Sequence, residues 1–317
     1  MASSIWPLKS NYKQMKKLKK YCAVILILSL YSCGDPSPTE LIYDNTAVTE
    51  YLEIEIISPE PEEIVYTTGY DSTGIVQPVP QHLSNIYVSG IKNSFGTENI
   101  FINYYSAIFF DETQPVVNRH GRRVGFKTRM MGKVLFNNID ATEVPHIIQI
   151  REPGQIRNEN AGMKYLHYER GTQNNFPFNA DVDFKMLPMQ MRDRRIEFDI
   201  PTPREITGGI TKRGTVASGD LKLLLNWNNP GEGEIEIIIG GIETGRHDPF
   251  PLIRLKTKDD GELTIPASIT KSIPFQNFTE IVFSFIRQKI KNDSSLSGLN
   301  DPFVVAQSIH NIKIAVQ

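Results

Sequence analysis

Tyr51-Leu52-Glu53-Ile54-Glu55-Ile56 alternates apolar and charged residues without a break from Leu52 onward. A period of two puts Leu52, Ile54 and Ile56 on one face of an extended chain and the two glutamates on the other. This is the signature of a strand with one face against a core and one in water. The same pattern recurs at 85–91, 99–110, 125–130, 146–151, 163–169 and 194–200, then at 219–227, 233–239, 252–257, 262–265, 280–286 and 311–316. Turn clusters such as Asn228-Asn229-Pro230-Gly231 and Lys258-Asp259-Asp260-Gly261 separate the runs. Many short strands with regular turn signals predict an all-β chain built as a sandwich or barrel. The expected architecture is two antiparallel β-sandwich domains, immunoglobulin-like or jelly-roll-like.

No stretch of 12 or more residues after the first 32 carries a helical stripe. Ala267–Ile273 follows Pro266, which suits a first helical turn. Asp301 is placed as an N-cap with Pro302 behind it, so Asp301–Ser308 also reads as a short helical connector. A boundary is expected near 201–218, where Pro201, Pro203 and Gly208-Gly209 interrupt the strand runs. That gives an N-terminal domain at 51–205 and a C-terminal domain at 206–317, although a long hairpin inside one domain would read the same way.

The start of the chain carries an address. Lys16, Lys17, Lys19 and Lys20 form a basic block, and an 11-residue apolar stretch follows from Tyr21 to Tyr31. A transmembrane helix needs about 20 residues, so the stretch reads as a cleaved secretory signal over residues 1–32. Met15-Lys16-Lys17-Leu18 is a more usual opening than Met1, and Met15 is the expected true start. The stretch ends in Leu30-Tyr31-Ser32-Cys33, which resembles the lipobox of Bacteroidota-type bacterial lipoproteins. The resemblance implies cleavage before Cys33, lipidation of Cys33 with palmitate-type chains, and an outer-membrane location in the cell envelope. Residues 33–50 would then be the lipidated cysteine and a flexible tether, since Gly34-Asp35-Pro36-Ser37-Pro38-Thr39 is polar and proline-rich. The Asp259–Ser268 segment, an Asp-Asp-Gly turn leading a strand into a proline-started helix, resembles one found in uncharacterised bacterial lipoproteins. That resemblance implies a β-sandwich module and no activity.

Processing changes the charge. The signal holds six lysines and no acid, so 28 basic and 36 acidic residues remain, a net of about −8. Such a surface is not a nucleic-acid footprint, which needs clustered Lys and Arg excess. Cys22 leaves with the signal and Cys33 takes the lipid, so no disulfide, thiolate nucleophile or cysteine-ligated zinc is available to the remaining 284 residues after Cys33.

Candidate chemistry is sparse. The six histidines, at 82, 120, 146, 167, 247 and 310, show no metal-ligand spacing, although His146 and His167 lie on predicted strands where they could face each other. Asp181-x-Asp183 is the one candidate cation pair, but Phe184-Lys185-Met186 follows where a calcium loop needs more acids, so strand residues are the default reading. Arg246-His247-Asp248 sits in a Gly-Pro turn, where neighbours point apart. Gly-x-Ser-x-Gly and phosphate-cradling loops are missing, and no cofactor is expected. Trp227 is in phase with Leu221, Leu223 and Leu225, which assigns it to a core rather than to a sugar platform. Arg119-His120-Gly121-Arg122-Arg123 is a hairpin tip by composition, with an anion or lipid headgroup as its functional reading. The expectation is a non-catalytic binding or structural module, held to the membrane by its anchor, with an envelope protein or glycan as partner. The rivals are an accessory binder of sugars or peptides in nutrient uptake and a glycoside hydrolase, whose paired carboxylates have no sequence signature.

Overall fold

The structure is a computed structural model and describes residues 52–56, 82–152, 155–189, 195–245 and 249–315. The lipobox residues Leu30, Tyr31 and Ser32, the lipidation candidate Cys33 and the Arg246-His247-Asp248 turn lie outside these residues. In chain order the strands are β1 (Glu53–Ile56), β2 (Ser84–Phe95), β3 (Glu98–Val117), β4 (Arg123–Thr128), β5 (Gly132–Phe136), β6 (Ile139–Asp140), β7 (Thr142–Glu152), β8 (Gln155–Gly171) and β9 (Asp181–Pro188). They continue with β10 (Ile196–Pro201), β11 (Gly208–Arg213), β12 (Lys222–Trp227), β13 (Glu234–Ile242), β14 (Phe250–Lys258), β15 (Glu262–Ile265), β16 (Glu280–Lys291) and β17 (Pro302–Ala315). Helix is confined to α1 (Ala267–Thr270) and two 3-10 turns among the described residues. None of them is long and apolar enough to cross a membrane.

The chain is all-β, and its sheets pack as a sandwich. One ten-stranded sheet runs β1-β14-β13-β16-β17-β2-β3-β8-β7, with β4 paired to β3. A four-stranded sheet (β10-β9-β5-β6) and a three-stranded sheet (β11-β12-β15) lie against it. Two apolar cores result. The first joins Ile86, Val88, Phe109 and Tyr165 of the large sheet to Phe136, Phe184 and Phe198 of the four-stranded one. The second joins Ile237, Leu255 and Phe285 to Leu223, Leu225 and Trp227. On β17, Val304 and Ala306 face the first core while Ile312 and Ile314 pack against the second. All four are even positions, so both small sheets cover the same face of that strand.

Two expectations are corrected here. Residues 301–308 are not a helical connector: β17 begins at Pro302, and it pairs with β2 in parallel over 12 residues, Pro302↔Ser84 to Lys313↔Phe95. The segments 51–205 and 206–317 therefore do not carry separate, purely antiparallel sheets; one sheet passes through both. The reason is burial on both faces. Ile91, Ile238, Ile286 and Ile309 form a further cluster on the reverse side, and Ser89 and Gln307 meet there at 3.2 Å. A strand covered on two sides shows no alternation, so its apolar run cannot be told from a helical turn by period.

The linker between the small sheets is tied down by polar side chains of the large one. Ser308 accepts from Ile206 N at 2.8 Å. His310 Nδ1 accepts from Gly208 N at 2.8 Å, and its Nε2 lies 2.8 Å from Ser94 Oγ. Since Nδ1 accepts, the proton sits on Nε2 and the ring is neutral. Burial, aided by the Lys92 charge, lowers the His310 pKa to about 4. A group depressed below its unfolded value of 6.5 stabilises the fold above that pH and withdraws the contribution as pH falls toward 4. The loss should reach about 3 kcal/mol. Urea midpoints measured between pH 7 and 4 should fall, and His310→Gln should flatten the part of the slope that His310 contributes. An unchanged slope in the variant would refute this assignment. His146, also lowered to about 4 by burial and by Lys164, adds to the slope in the same window.

Candidate functional site

Period two on two paired strands builds the site. In the β3–β8 ladder Asn103 is opposite Glu169 and Tyr105 is opposite His167. Directly opposed residues on one face lie close enough to interact, and here all four do. Further along the same face, Phe109 and Tyr165 disappear under the four-stranded sheet into the first core. Toward the rim of that sheet the face opens, and the side chains become polar.

The four-stranded sheet supplies the opposite wall. Phe136 and Ile139 flank the two-residue turn Asn137-Asn138, whose φ angles are +49° and +63°. Two consecutive left-handed residues make the primed hairpin turn that asparagine tolerates best. The turn is pinned, with Asn137 Oδ1 accepting from Asp183 N at 2.9 Å and Asn138 Oδ1 from Lys185 Nζ at 2.7 Å. The loop after β8 closes the third side with Asn175 and Pro177. It is seated by Phe176, which packs over Gly90; a Cβ there would lie 2.5 Å from the ring. Only glycine lets the loop approach so closely.

The enclosed space is about 170 Å³. Tyr105 and Phe136 are buried beneath it, with ring centroids 5.4 Å apart. Asn103, His167, Glu169, Asn137 and Asn175 line it with hydrogen-bonding groups. Glu169 is held at both oxygens, by His167 Nε2 at 3.1 Å and by Asn103 Nδ2 at 3.1 Å. Burial, together with the Glu169 charge, raises the Tyr105 pKa to about 12, so its phenol keeps its proton. The cavity thus presents amide, imidazole, carboxylate and phenol groups above an aromatic floor.

A larger cleft, about 880 Å³, opens where the linker passes β16 and the 230–234 and 259–260 turns. Its chemistry is used internally. Asp259 Oδ1 accepts from Trp227 Nε1 at 2.8 Å and from Arg287 at 2.7 Å, and its Oδ2 accepts from Arg287 Nε at 2.6 Å. Arg287 also donates to the carbonyls of Glu205 and Asn229, at 3.1 and 3.0 Å. Glu234 pairs with Lys256 at 2.7 Å. Asp259, Arg287 and Glu234 brace the fold; Arg204, Glu232, Gln288 and Lys289 line the rest of the cleft.

The other sequence candidates are placed apart. Asp181 and Asp183 point outward on β9, as the default strand reading expected, and Asp183 pairs with Lys185. Among the described residues no three His, Cys, Asp or Glu side chains gather as a metal site. His146 sits at a register shift in β7, its ring 5.8 Å from Phe110, while His167 packs on Tyr105 at 5.5 Å. The two share no partner. Trp227 is 5% exposed in the second core, which removes it as a sugar platform. The Arg119–Arg123 stretch is the β3–β4 tip, where Asn118 Oδ1 accepts from the N–H groups of His120 and Arg122. Sequence reasoning marked His167 but missed Asn103 and Glu169, because the register that pairs them is not local. The Asn137-Asn138 dipeptide was the one local signal for the opposite wall.

No family model matches the sequence, and no curated protein matches it. Among solved structures it is similar to the yeast delta-COP-I mu-homology domain, with 10% identity and a TM-score of 0.25, over 74% of this chain and 97% of that one.

Proposed function

We propose that this chain is a lipid-anchored lipoprotein of the cell envelope, outer-membrane in type, that acts as a non-catalytic binding module for the hydroxyl-rich end of a glycan. The anchor reading rests on the basic block, the short apolar stretch and Leu30-Tyr31-Ser32-Cys33. The ligand reading rests on one observation: the Asn103–Glu169–His167 network faces a small cavity floored by Tyr105 and Phe136. Sugar hydroxyls are paired donors and acceptors, and this wall offers both in fixed positions. A glycosidase would place two carboxylates on the bond to be cleaved, and among the described residues Glu169 is the one acid lining this cavity.

The test is retention of glycans by the lipidated protein. Glu169→Gln keeps shape but removes the charge that orders Asn103 and His167, and it should weaken binding about tenfold, the scale of one charge-assisted hydrogen bond. Asn103→Ala should do the same, and both should leave the melting temperature nearly unchanged. Steady release of sugar product, lost in Glu169→Gln, would replace binding by hydrolysis. Cys33→Ala should abolish labelling with a palmitate analogue; a wild type that takes no label would remove the anchor from this reading.

A further inference from the structure

A second cavity lies at the open end of the other sandwich. Leu223 of the three-stranded sheet and Leu221, just before β12, form one wall, and Phe275, Ile281 and Phe283 form the other. All five are at most 7% exposed, so the walls belong to the second core. The space is about 200 Å³. An apolar cavity near 150 Å³ lined by Leu, Ile and Phe stays dry and takes up an apolar guest of about benzene size. This one is somewhat larger and opens to solvent past Val216, which is 46% exposed.

Lys212 is the one charged side chain among the residues that line the space, and the Asp220 carboxylate is tied into the adjoining loop, where it accepts from Thr215 N at 3.0 Å. Lys212 lies on edge strand β11 directly opposite Leu223, so the cation stands over the apolar wall. Its Nζ reaches the Ala315 carbonyl only at 3.5 Å. Among the described residues no Asp or Glu lines the space. An apolar pocket sized for a tail, with a single ammonium at the entrance, suits an amphiphile with an apolar tail and an anionic head.

We infer that this pocket binds a medium-length free fatty-acid carboxylate, its tail between Leu223 and Phe283 and its head against Lys212. The site is separate from the Glu169 cavity and does not depend on the glycan reading.

The experiment uses the full chain in zwitterionic nanodiscs, with empty discs as the blank, and equilibrium dialysis of labelled hexanoate, octanoate, decanoate and dodecanoate. Affinity should tighten about fourfold per added methylene and then level off once the pocket is full. Decanol should bind about fivefold more weakly than decanoate, the most a rim ion pair contributes. Lys212→Met should bring decanoate to the decanol level. Val216→Asp puts a repelling carboxylate at the mouth of an exposed loop; it should abolish decanoate binding without lowering the melting temperature. Failure to saturate, affinity independent of tail length, equal binding of decylammonium, or unchanged binding in Val216→Asp would each overturn the inference.

Discussion

Asp259→Ala should lower unfolding free energy by about 3–5 kcal/mol, because it leaves a buried guanidinium without its counter-charge. Arg287 is 7% exposed and Asp259 is 4% exposed. The pair is bidentate, and Asp259 also receives the Trp227 indole N–H. An isolated buried ion pair can often be replaced by apolar residues at little cost. This one should not be replaceable, because Arg287 also satisfies carbonyls of the 204–205 linker and the 228–229 turn. Asp259→Leu combined with Arg287→Met should therefore stay well below wild type, each orphaned carbonyl costing about 1–3 kcal/mol. Urea midpoints of the two single variants and the double variant decide it. A double variant as stable as wild type would show that the carbonyl contacts contribute nothing.

Trp227→Ala should cost about 3–5 kcal/mol, the usual range for emptying a core site of this size. It shares the second core with Leu223 and Leu225 of its own strand and with Phe285, whose ring centroid is 6.4 Å away. Trp227→Phe refills part of the volume but leaves an Asp259 oxygen with one donor fewer, so it should cost less than half as much. Emission in the folded protein should be blue-shifted and resist iodide. Because Trp227 and Asp259 share a hydrogen bond, their losses should not add. Free quenching by iodide, or strict additivity, would mean the indole lies outside this network.

Much of the fold is legible because most strands have one wet face. β15 is found at 262–265, where Glu262-Leu263-Thr264-Ile265 alternates, and Trp227 is buried as its phase with three leucines required. Legibility fails where both faces are covered. Phe303-Val304-Val305-Ala306 reads as a helical turn, yet it opens a strand in the middle of the largest sheet. It fails also where a strand is short or glycine-rich: β5, β6 and β11 escape because Gly132, Asn137-Asn138 and Gly208-Gly209 read as turns. The site was half visible. Period two separates Tyr104 from Tyr105 and sends one inward, but only the β3–β8 register brings Glu169 to Asn103. Register is set by the long hairpins and the core, not by neighbouring residues.

The pairing of β17 with β2 bears on how such a chain is made. Ser89 must find Gln307, 218 positions further on. Contacts of that span are slow to form, since loop closure precedes any reward. A chain emerging N-terminus first, from a ribosome or through a translocation pore, would expose the buried flank of β2 until β17 arrives. Over that interval the flank is an unpaired, apolar edge of the kind that aggregates. Escort by a holdase would guard this interval. Truncation just before Pro302 would make the exposure permanent, so a shortened product should be cleared or precipitate rather than persist as a smaller folded protein.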